Sequence, residues 1–162
     1  MKRLIPILLL FTSGVIFAAD QTRVVNIRGW LFDVPSFLTK KVHEGPDFTV
    51  TYFNSGPKQM SLGVYEGMFP QEFANGKAGV RKEKEKIGGE EVTWALWEEA
   101  KGEKRSFHAE VFLLIDTQAN SPEKFHFFAT AASAAELSLL RQTVRTAHQK
   151  TAANKSLHST PR

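Results

Sequence analysis

The sequence of 162 residues contains no cysteine. This absence excludes disulfide bonds, thiol catalysis and metal sites built from cysteine. The five histidines do not form a metal signature either, because no two of them have H-x-x-x-H or H-E-x-x-H spacing. Phosphate-binding motifs of the G-x-G-x-x-G and G-K-[ST] types are also missing. We therefore expect no metal site and no cofactor.

The chain has no strong excess of charge of one sign. Its 21 basic and 17 acidic residues give a formal net charge of +4, and loss of Lys2 and Arg3 with an export signal lowers it to +2. A nucleic-acid-binding domain would show a basic stripe and a recognisable module. Because the sequence contains no such module, we expect no nucleic-acid partner.

Long apolar runs are confined to the first nineteen residues. Two cations precede the apolar stretch Leu4 to Phe17, and two alanines follow it. Positive, apolar and small residues in this order are typical of a secretory signal peptide. The segment from Leu4 to Ala19 includes a proline and a glycine, and it is shorter than the roughly twenty mostly apolar residues of a spanning helix. Cleavage is therefore predicted, rather than a permanent membrane anchor.

Export and the absence of cysteine together favour a bacterial envelope. Exported animal domains of this size often carry disulfides, and this chain can form none. We expect a periplasmic or secreted protein that has no permanent membrane span once residues 1–19 are removed. Residues 20–150 are predicted to form one domain, long enough to bury a core without disulfides. The polar segment 151–162 is predicted to be a disordered tail.

Alternating apolar residues predict an antiparallel sheet. The predicted strands cover residues 24–28, 30–34, 48–53, 60–66, 92–98, 106–116 and 124–131. The strands 92–98 and 106–116 are predicted to form a hairpin that turns near Gly102. The last two strands are apolar on both faces, so the sheet needs cover on both sides.

One strong helix is predicted over 134–150. Ser133 and Glu136 have capping-box spacing, and leucine and valine recur at helical intervals after them. Shorter helical segments are predicted over 36–42 and 70–75. The sequence thus predicts a single α+β domain, in which a mostly antiparallel β-sheet is covered by the C-terminal helix and by shorter helices.

This order of elements resembles the Mog1/PsbP-like group of α/β/α sandwiches. The resemblance rests on Trp30 to Pro35, followed by Asp47 to Phe53 and Leu62 to Gly67, and on the strand and helix from Phe125 to Ala147. It covers residues 24–148. It implies an α/β/α sandwich, a fold that is often used for docking to larger assemblies.

Three residues of the predicted hairpin are candidates for a pocket. His108 and Glu110 are two residues apart and therefore lie on one face of their strand. If the hairpin turns near Gly102, Trp94 of the preceding strand lies close to them. An imidazole, a carboxylate and an indole can bind a ligand, and the first two can act as an acid–base pair. The favoured alternative is a solvated sheet edge, because no nucleophile or oxyanion motif accompanies them.

The glycine-rich segment Leu62 to Pro70 is the second candidate site. Its glycines would allow a ligand or partner to approach the backbone, with Tyr65, Met68 and Phe69 as apolar contacts. A structural role is favoured, in which Gly63 makes room for a core aromatic ring and the second glycine turns the chain.

The run Arg81 to Lys86 carries four positive and two negative charges. It could dock on an acidic partner or a lipid surface. The favoured interpretation is a solvated edge strand or loop that its lysines keep soluble.

The sequence of this full-sized domain contains no nucleophile motif, no residues with metal-ligand spacing and no nucleotide-binding loop. The sequence therefore favours an exported protein without catalysis of its own, which binds or docks to another envelope or extracellular protein. The alternative is a small exported hydrolase or ligand-binding enzyme that uses His108 and Glu110. Docking requires an exposed apolar patch around Tyr65 to Phe69. Catalysis requires a concave pocket that receives His108 or Glu110.

The signal peptide gives a direct prediction about the N-terminus of the exported chain. Signal peptidase should cleave after Ala18 or Ala19, because small residues follow the apolar run there. N-terminal sequencing of the protein from the cell envelope or the medium should therefore begin at Ala19 or Asp20. Recovery of a chain that retains Lys2 and Arg3 would contradict cleavage.

Overall fold

Ten strands and one helix form in the part of the chain that the computed structural model describes, residues 21–56, 59–115 and 124–150. In chain order they are β1 (Thr22–Ile27), β2 (Trp30–Pro35), β3 (Thr39–Glu44), β4 (Phe48–Asn54), β5 (Ser61–Gly67), β6 (Arg81–Ile87), β7 (Glu90–Lys101), β8 (Lys104–Leu114), β9 (Lys124–Ala131), α1 (Ala134–Arg145) and β10 (His148–Gln149). All seven predicted strands are present. The predicted signal peptide, 1–19, and tail, 151–162, lie outside the described residues.

Seven strands form one antiparallel sheet in the order β3-β4-β5-β9-β8-β7-β6. Its longest hairpin joins β7 to β8 through a two-residue turn, because Lys101 pairs with Lys104. Gly102 in this turn has a φ of +63°, a left-handed backbone conformation that tight hairpin turns require. The predicted hairpin is confirmed, and it places β8 in the interior of the sheet between β7 and β9.

The core lies on one side of this sheet, which we call the inner face. A smaller sheet, in the order β1-β2-β10, and helix α1 pack against it. Phe32 of β2 contacts the rings of Phe125 and Phe127 at centroid distances of 6.2 and 5.7 Å. Each large apolar side chain buried in this layer contributes about 1.5–3 kcal/mol to folding. The sheet contributes Phe53, Leu62, Val64, Trp94, Val111, Leu113, Phe125 and Phe127 to it.

Helix α1 begins where the sequence predicts and ends earlier. The Ser133 hydroxyl accepts a hydrogen bond from the Glu136 amide at 3.3 Å and donates one to the Glu136 carboxylate at 3.0 Å. The prediction that the helix continues to Lys150 is wrong, because Thr146 ends it and the chain then pairs with β2 as β10. The Thr146 hydroxyl accepts a hydrogen bond from the Asp33 amide at 2.8 Å, which fixes the helix end against the small sheet.

The two short helices predicted from the sequence are wrong. Residues 36–42 form no helix, because β3 begins at Thr39 and pairs with β4. Every residue of β3 is exposed, so its sequence has no apolar alternation. Residues 70–75 form no helix, and only 73–75 lie in bends and a turn. The described chain is therefore a single, mostly antiparallel β domain with one helix. None of its described helical residues form a segment long and apolar enough to cross a membrane.

The charged run Arg81 to Lys86 lies in β6, an edge strand of the large sheet, as predicted. Glu83 and Glu85 point to the inner face, where Arg141 of α1 lies 2.8 and 3.8 Å from their carboxylates. Lys82, Lys84 and Lys86, which alternate with these glutamates, point to the opposite side of the sheet. The glutamates of this edge strand thus form ion pairs with helix α1 on the inner face, and its lysines leave the opposite side positively charged.

Gly63 of β5 makes room for an aromatic ring, as predicted. It lies opposite Phe128 of β9, and a Cβ atom at position 63 would lie 2.1 Å from Cζ and 2.2 Å from Cε2 of that ring. The ring differs from the predicted one in that it lies on the side of the sheet away from the core, where Phe128 is half-buried.

We expect Gly63→Ala to lower the free energy of unfolding by about 1–3 kcal/mol, the usual cost of overpacking. Urea denaturation measures this cost, and Ser61→Ala on the same strand, expected within about 0.5 kcal/mol of wild type, is the control. In a Phe128→Leu background the cost of Gly63→Ala should fall sharply, since the ring is shortened to an aliphatic group. An undiminished cost in that background would contradict the steric role of the ring.

Candidate functional site

The opposite side of the large sheet, which we call the outer face, carries the polar residues that the sequence singles out. His108 pairs with Thr130 and Glu110 with Phe128 across β8 and β9, so all four side chains share this face. Both strands are interior to the sheet, so the predicted position at a solvated edge is wrong. The outer face is rich in aromatic rings. The sheet contributes Tyr52, Tyr65, Trp97, Phe112 and Phe128 to it.

Residues 68–80, which we call the 68–80 loop, cross the outer face and are held there by Glu110. The Glu110 carboxylate accepts hydrogen bonds from the amides of Phe73 at 2.8 Å and Ala74 at 2.9 Å. His126 of β9 donates a third bond from Nε2 at 2.9 Å. Only 3% of Glu110 and 1% of His126 is exposed. Such partners are necessary, since an unpaired charge in the interior costs several kcal/mol.

Aromatic rings enclose this buried pair. The His126 imidazole stacks on Phe112 at 4.3 Å between ring centroids, and the rings of Phe73 and Phe128 lie 5.2 and 5.3 Å from it. Burial alone would raise the pKa of Glu110, but the hydrogen bonds from His126 and from the two loop amides outweigh it and hold that pKa below its ordinary value. Glu110 is therefore an ionised anchor at neutral pH, and both of its oxygens are occupied.

His108 lines a cleft of about 460 Å³ beside this anchor. Its ring stacks on Trp97 at 5.1 Å between centroids. Its Nε2 lies 2.8 Å from the Ser106 hydroxyl, and its Nδ1 lies 3.1 Å from the Thr130 hydroxyl. Burial lowers the pKa of His108 more than the nearby Glu99 carboxylate raises it, so the ring is neutral at pH 7.

The cleft does not assemble the relay of a serine hydrolase. Such a relay places the nucleophile at one imidazole nitrogen and an orienting carboxylate at the other. Here Ser106 and Glu99 both approach Nε2, at 2.8 and 3.9 Å, whereas Nδ1 meets the hydroxyl of Thr130. The structure does not bring Glu110 to His108 as an acid–base pair, because the loop amides and His126 already use its carboxylate.

Trp94 does not lie beside His108. It points to the inner face, where it is fully buried, donates a hydrogen bond from Nε1 to Glu85 at 2.7 Å and lies 5.0 Å below the Arg141 guanidinium. Trp97 occupies the position beside His108 that was predicted for Trp94, because Trp97 pairs directly with His108. The two-residue turn after β7 sets this register. Counting back from that turn would have shown, from the sequence alone, that Trp97 rather than Trp94 lies opposite His108.

The remaining candidates, Tyr65, Met68 and Phe69, lie where β5 ends and the 68–80 loop begins. Tyr65 is half-buried and stacks on Phe48 of β4 at 5.7 Å between centroids. Met68 is 46% exposed and Phe69 is 76% exposed. Phe48 and Leu114 are also exposed, and they lie in the same row of paired residues across the sheet. We call these five residues the sheet-end patch.

Comparison of the sequence with known proteins and a search of the described residues for metal ligands both give negative results. No protein-family model matches it, and no curated protein is significantly similar to it in sequence. In the described ranges no three histidine, cysteine, aspartate or glutamate side chains converge as metal ligands would. A functional conclusion therefore depends on the geometry of the outer face.

Replacing the anchor should loosen the 68–80 loop. Glu110→Gln is expected to lower the free energy of unfolding at pH 7 by about 2–4 kcal/mol, because the amide loses charge-assisted bonds and turns an N–H group toward other donors. Glu99→Gln, which removes an exposed ion pair with Lys77, should leave stability close to that of wild type and is the matched control. Urea denaturation distinguishes the two variants, and equal losses would contradict the anchor.

The effect of Glu110→Gln should also depend on pH. A carboxyl group whose pKa is lowered by folding stabilises the native state above its unfolded-state pKa, about 4.3 for glutamate. That stabilisation is lost as the pH falls through the lowered native pKa. The stability difference between wild type and Glu110→Gln should therefore be constant near neutral pH and shrink below about pH 4. A difference that persists unchanged to more acidic pH would argue against an ionised Glu110.

Proposed function

We propose that this chain is an exported, non-catalytic protein of the bacterial envelope that docks onto another envelope or extracellular protein through the sheet-end patch. The signal-like segment 1–19 and the absence of cysteine support export in a bacterium. The hydrolase alternative has no comparable support, because His108 and Glu110 serve different local structures.

The clustering of exposed apolar side chains carries the proposal. Of the seven large apolar side chains that are exposed in the described residues, four belong to the sheet-end patch: Phe48, Met68, Phe69 and Leu114. Single exposed apolar residues are ordinary on a protein surface, whereas a cluster of them marks an interaction site. Methionine and aromatic side chains are also the residue types enriched in protein interfaces.

The 68–80 loop holds the patch in a defined position. Gly67, which ends β5, is paired with β4 and β9, and the amides of Phe73 and Ala74 are bound to Glu110. Met68 and Phe69 lie between these two fixed points. A binding segment that is already ordered loses less conformational entropy on association, which favours affinity.

The charges around the patch favour a protein partner over a lipid surface. Phe48 and Met68 line a cleft of about 370 Å³ together with Arg28, Asp47 and Glu66. Arg28 and Glu66 form an ion pair at 3.6 Å. Binding to anionic lipid relies on clusters of cations without neighbouring acids. A mixed polar rim around an apolar centre is instead typical of a protein interface.

We also infer a relationship to the Mog1/PsbP-like group of sandwiches. The order of elements supports it: a hairpin, a meander, and a strand followed by a helix that packs on the sheet. In this chain the 68–80 loop occupies the side of the sheet where a second helical layer would be expected. The docking role that the resemblance implies agrees with the proposed function.

Photo-crosslinking from position 69 tests the proposal. A photoreactive phenylalanine analogue replaces Phe69 in the full chain, expressed at native abundance in the producing cell. Because Phe69 is 76% exposed, the analogue should leave the fold intact and yield one discrete heavier product on irradiation. The same analogue at Val24, which is 66% exposed on β1 outside the patch, is the matched control and should yield no such product.

A second substitution within the patch tests whether the crosslinked product depends on the apolar contacts of the patch. Met68→Ser should reduce the product formed from position 69, because it removes a neighbouring apolar contact. Mass spectrometry of the product should identify a second protein. A lipid adduct, identical products from positions 24 and 69, or no product at position 69 would each contradict docking through this patch.

A further inference from the structure

Strand β3 is the second edge of the seven-stranded sheet, and all six of its residues, Thr39–Glu44, are exposed. Its strand partner in the described structure is β4, on one side. Val42 at its centre is 43% exposed, and Phe37, just before the strand, is 48% exposed. An exposed edge strand that carries apolar residues is a template for pairing with another chain.

The backbone groups of alternate β3 residues point away from β4. The Gly45 amide donates a hydrogen bond to the Phe48 carbonyl at 2.9 Å, in continuation of the β3–β4 register. In an antiparallel pair, residues bonded to the neighbouring strand alternate with residues whose N–H and C=O groups point outward. Counting back from Gly45, the outward residues are Lys40, Val42 and Glu44.

We propose that β3 pairs with β3 of a second copy of this chain, antiparallel and centred on Val42. With Val42 opposite Val42, the outward residues of one copy meet those of the other, as antiparallel hydrogen bonding requires. Lys40 then lies opposite Glu44 of the second copy, and the two-fold axis repeats this attraction. The contact is isologous, so it closes as a dimer and joins two seven-stranded sheets into one.

The remaining contacts of this register are secondary. Phe37 comes to lie beside the turn of the second copy at Pro46 and Asp47, where it can bury part of its ring. On the other side of the strand Lys41 lies opposite His43, a pair without attraction between its groups. The specificity of the pairing therefore comes from the outward residues.

The other edge of the sheet, β6, cannot pair with itself in this way. Its cations occupy positions 81, 82, 84 and 86, and its anions occupy positions 83 and 85. A two-fold antiparallel pair sets residues of the same parity opposite one another. Every register of β6 with itself therefore places like charges together, which is destabilising. Edge β6 is protected against self-pairing by its charge pattern, whereas edge β3 is complementary to itself.

Analytical ultracentrifugation of the mature chain tests the dimer. Wild type should sediment with twice the mass of one chain. Val42→Pro should sediment as a single chain with an unchanged far-UV circular dichroism spectrum, because proline removes an outward amide and leaves the bonds to β4 intact. Val42→Thr keeps the amide and the branched side chain, so it should remain dimeric and is the matched control. Wild type that sediments as one chain at every concentration would overturn the proposal.

A charge exchange tests the register independently of proline. Lys40→Glu sets two glutamates opposite each other at both ends of the contact and should raise the dimer dissociation constant by about tenfold or more. Adding Glu44→Lys to the same chain reverses both charges and should restore the wild-type constant. Failure of the double variant to recover, or a dimer that neither Val42→Pro nor Lys40→Glu weakens, would show that the copies associate through a different surface.

Discussion

The buried Glu110 carboxylate determines how the outer face is organised. Three donors converge on it: the amides of Phe73 and Ala74 and the imidazole of His126. These bonds fix the 68–80 loop over the middle of the sheet, although the loop has no regular secondary structure there. As a consequence, Met68 and Phe69 emerge from a positioned backbone at the sheet end. The loop also shields aromatic rings that would otherwise face water.

The two faces of the large sheet have different roles. The inner face supplies stability through a dense apolar layer under α1 and the small sheet. The outer face combines a buried ionic anchor with an exposed patch at one end. The β3 edge adjoins that patch, since Gly45 follows the strand and is bonded to Phe48. A dimer through β3 would therefore present two sheet-end patches, which increases the apparent affinity for a partner with more than one binding site.

The sequence predicts the elements whose residues alternate between a buried and an exposed side, such as β4, β8 and β9, and the capped start of α1. It does not reveal β3, because that strand has no buried side, nor the early end of the helix at Thr146, which a contact to β2 imposes. Of the site, the shared face of His108 and Glu110 is predictable from strand periodicity. The pairing of Glu110 with His126 is not, because it depends on the register between β8 and β9 and on the path of a distant loop.

Amide hydrogen exchange at Phe73 and Ala74 is the most direct measurement of whether the Glu110 anchor holds the loop. Both amides lie outside any strand or helix, so they would exchange quickly unless a specific acceptor binds them. If Glu110 holds the loop, both amides are protected at neutral pH to an extent comparable with the amides of the neighbouring β8 strand. Glu110→Gln then abolishes this protection, while β8 remains protected. Exchange of both amides in the wild-type protein at the rate of an unstructured peptide would contradict this role of Glu110.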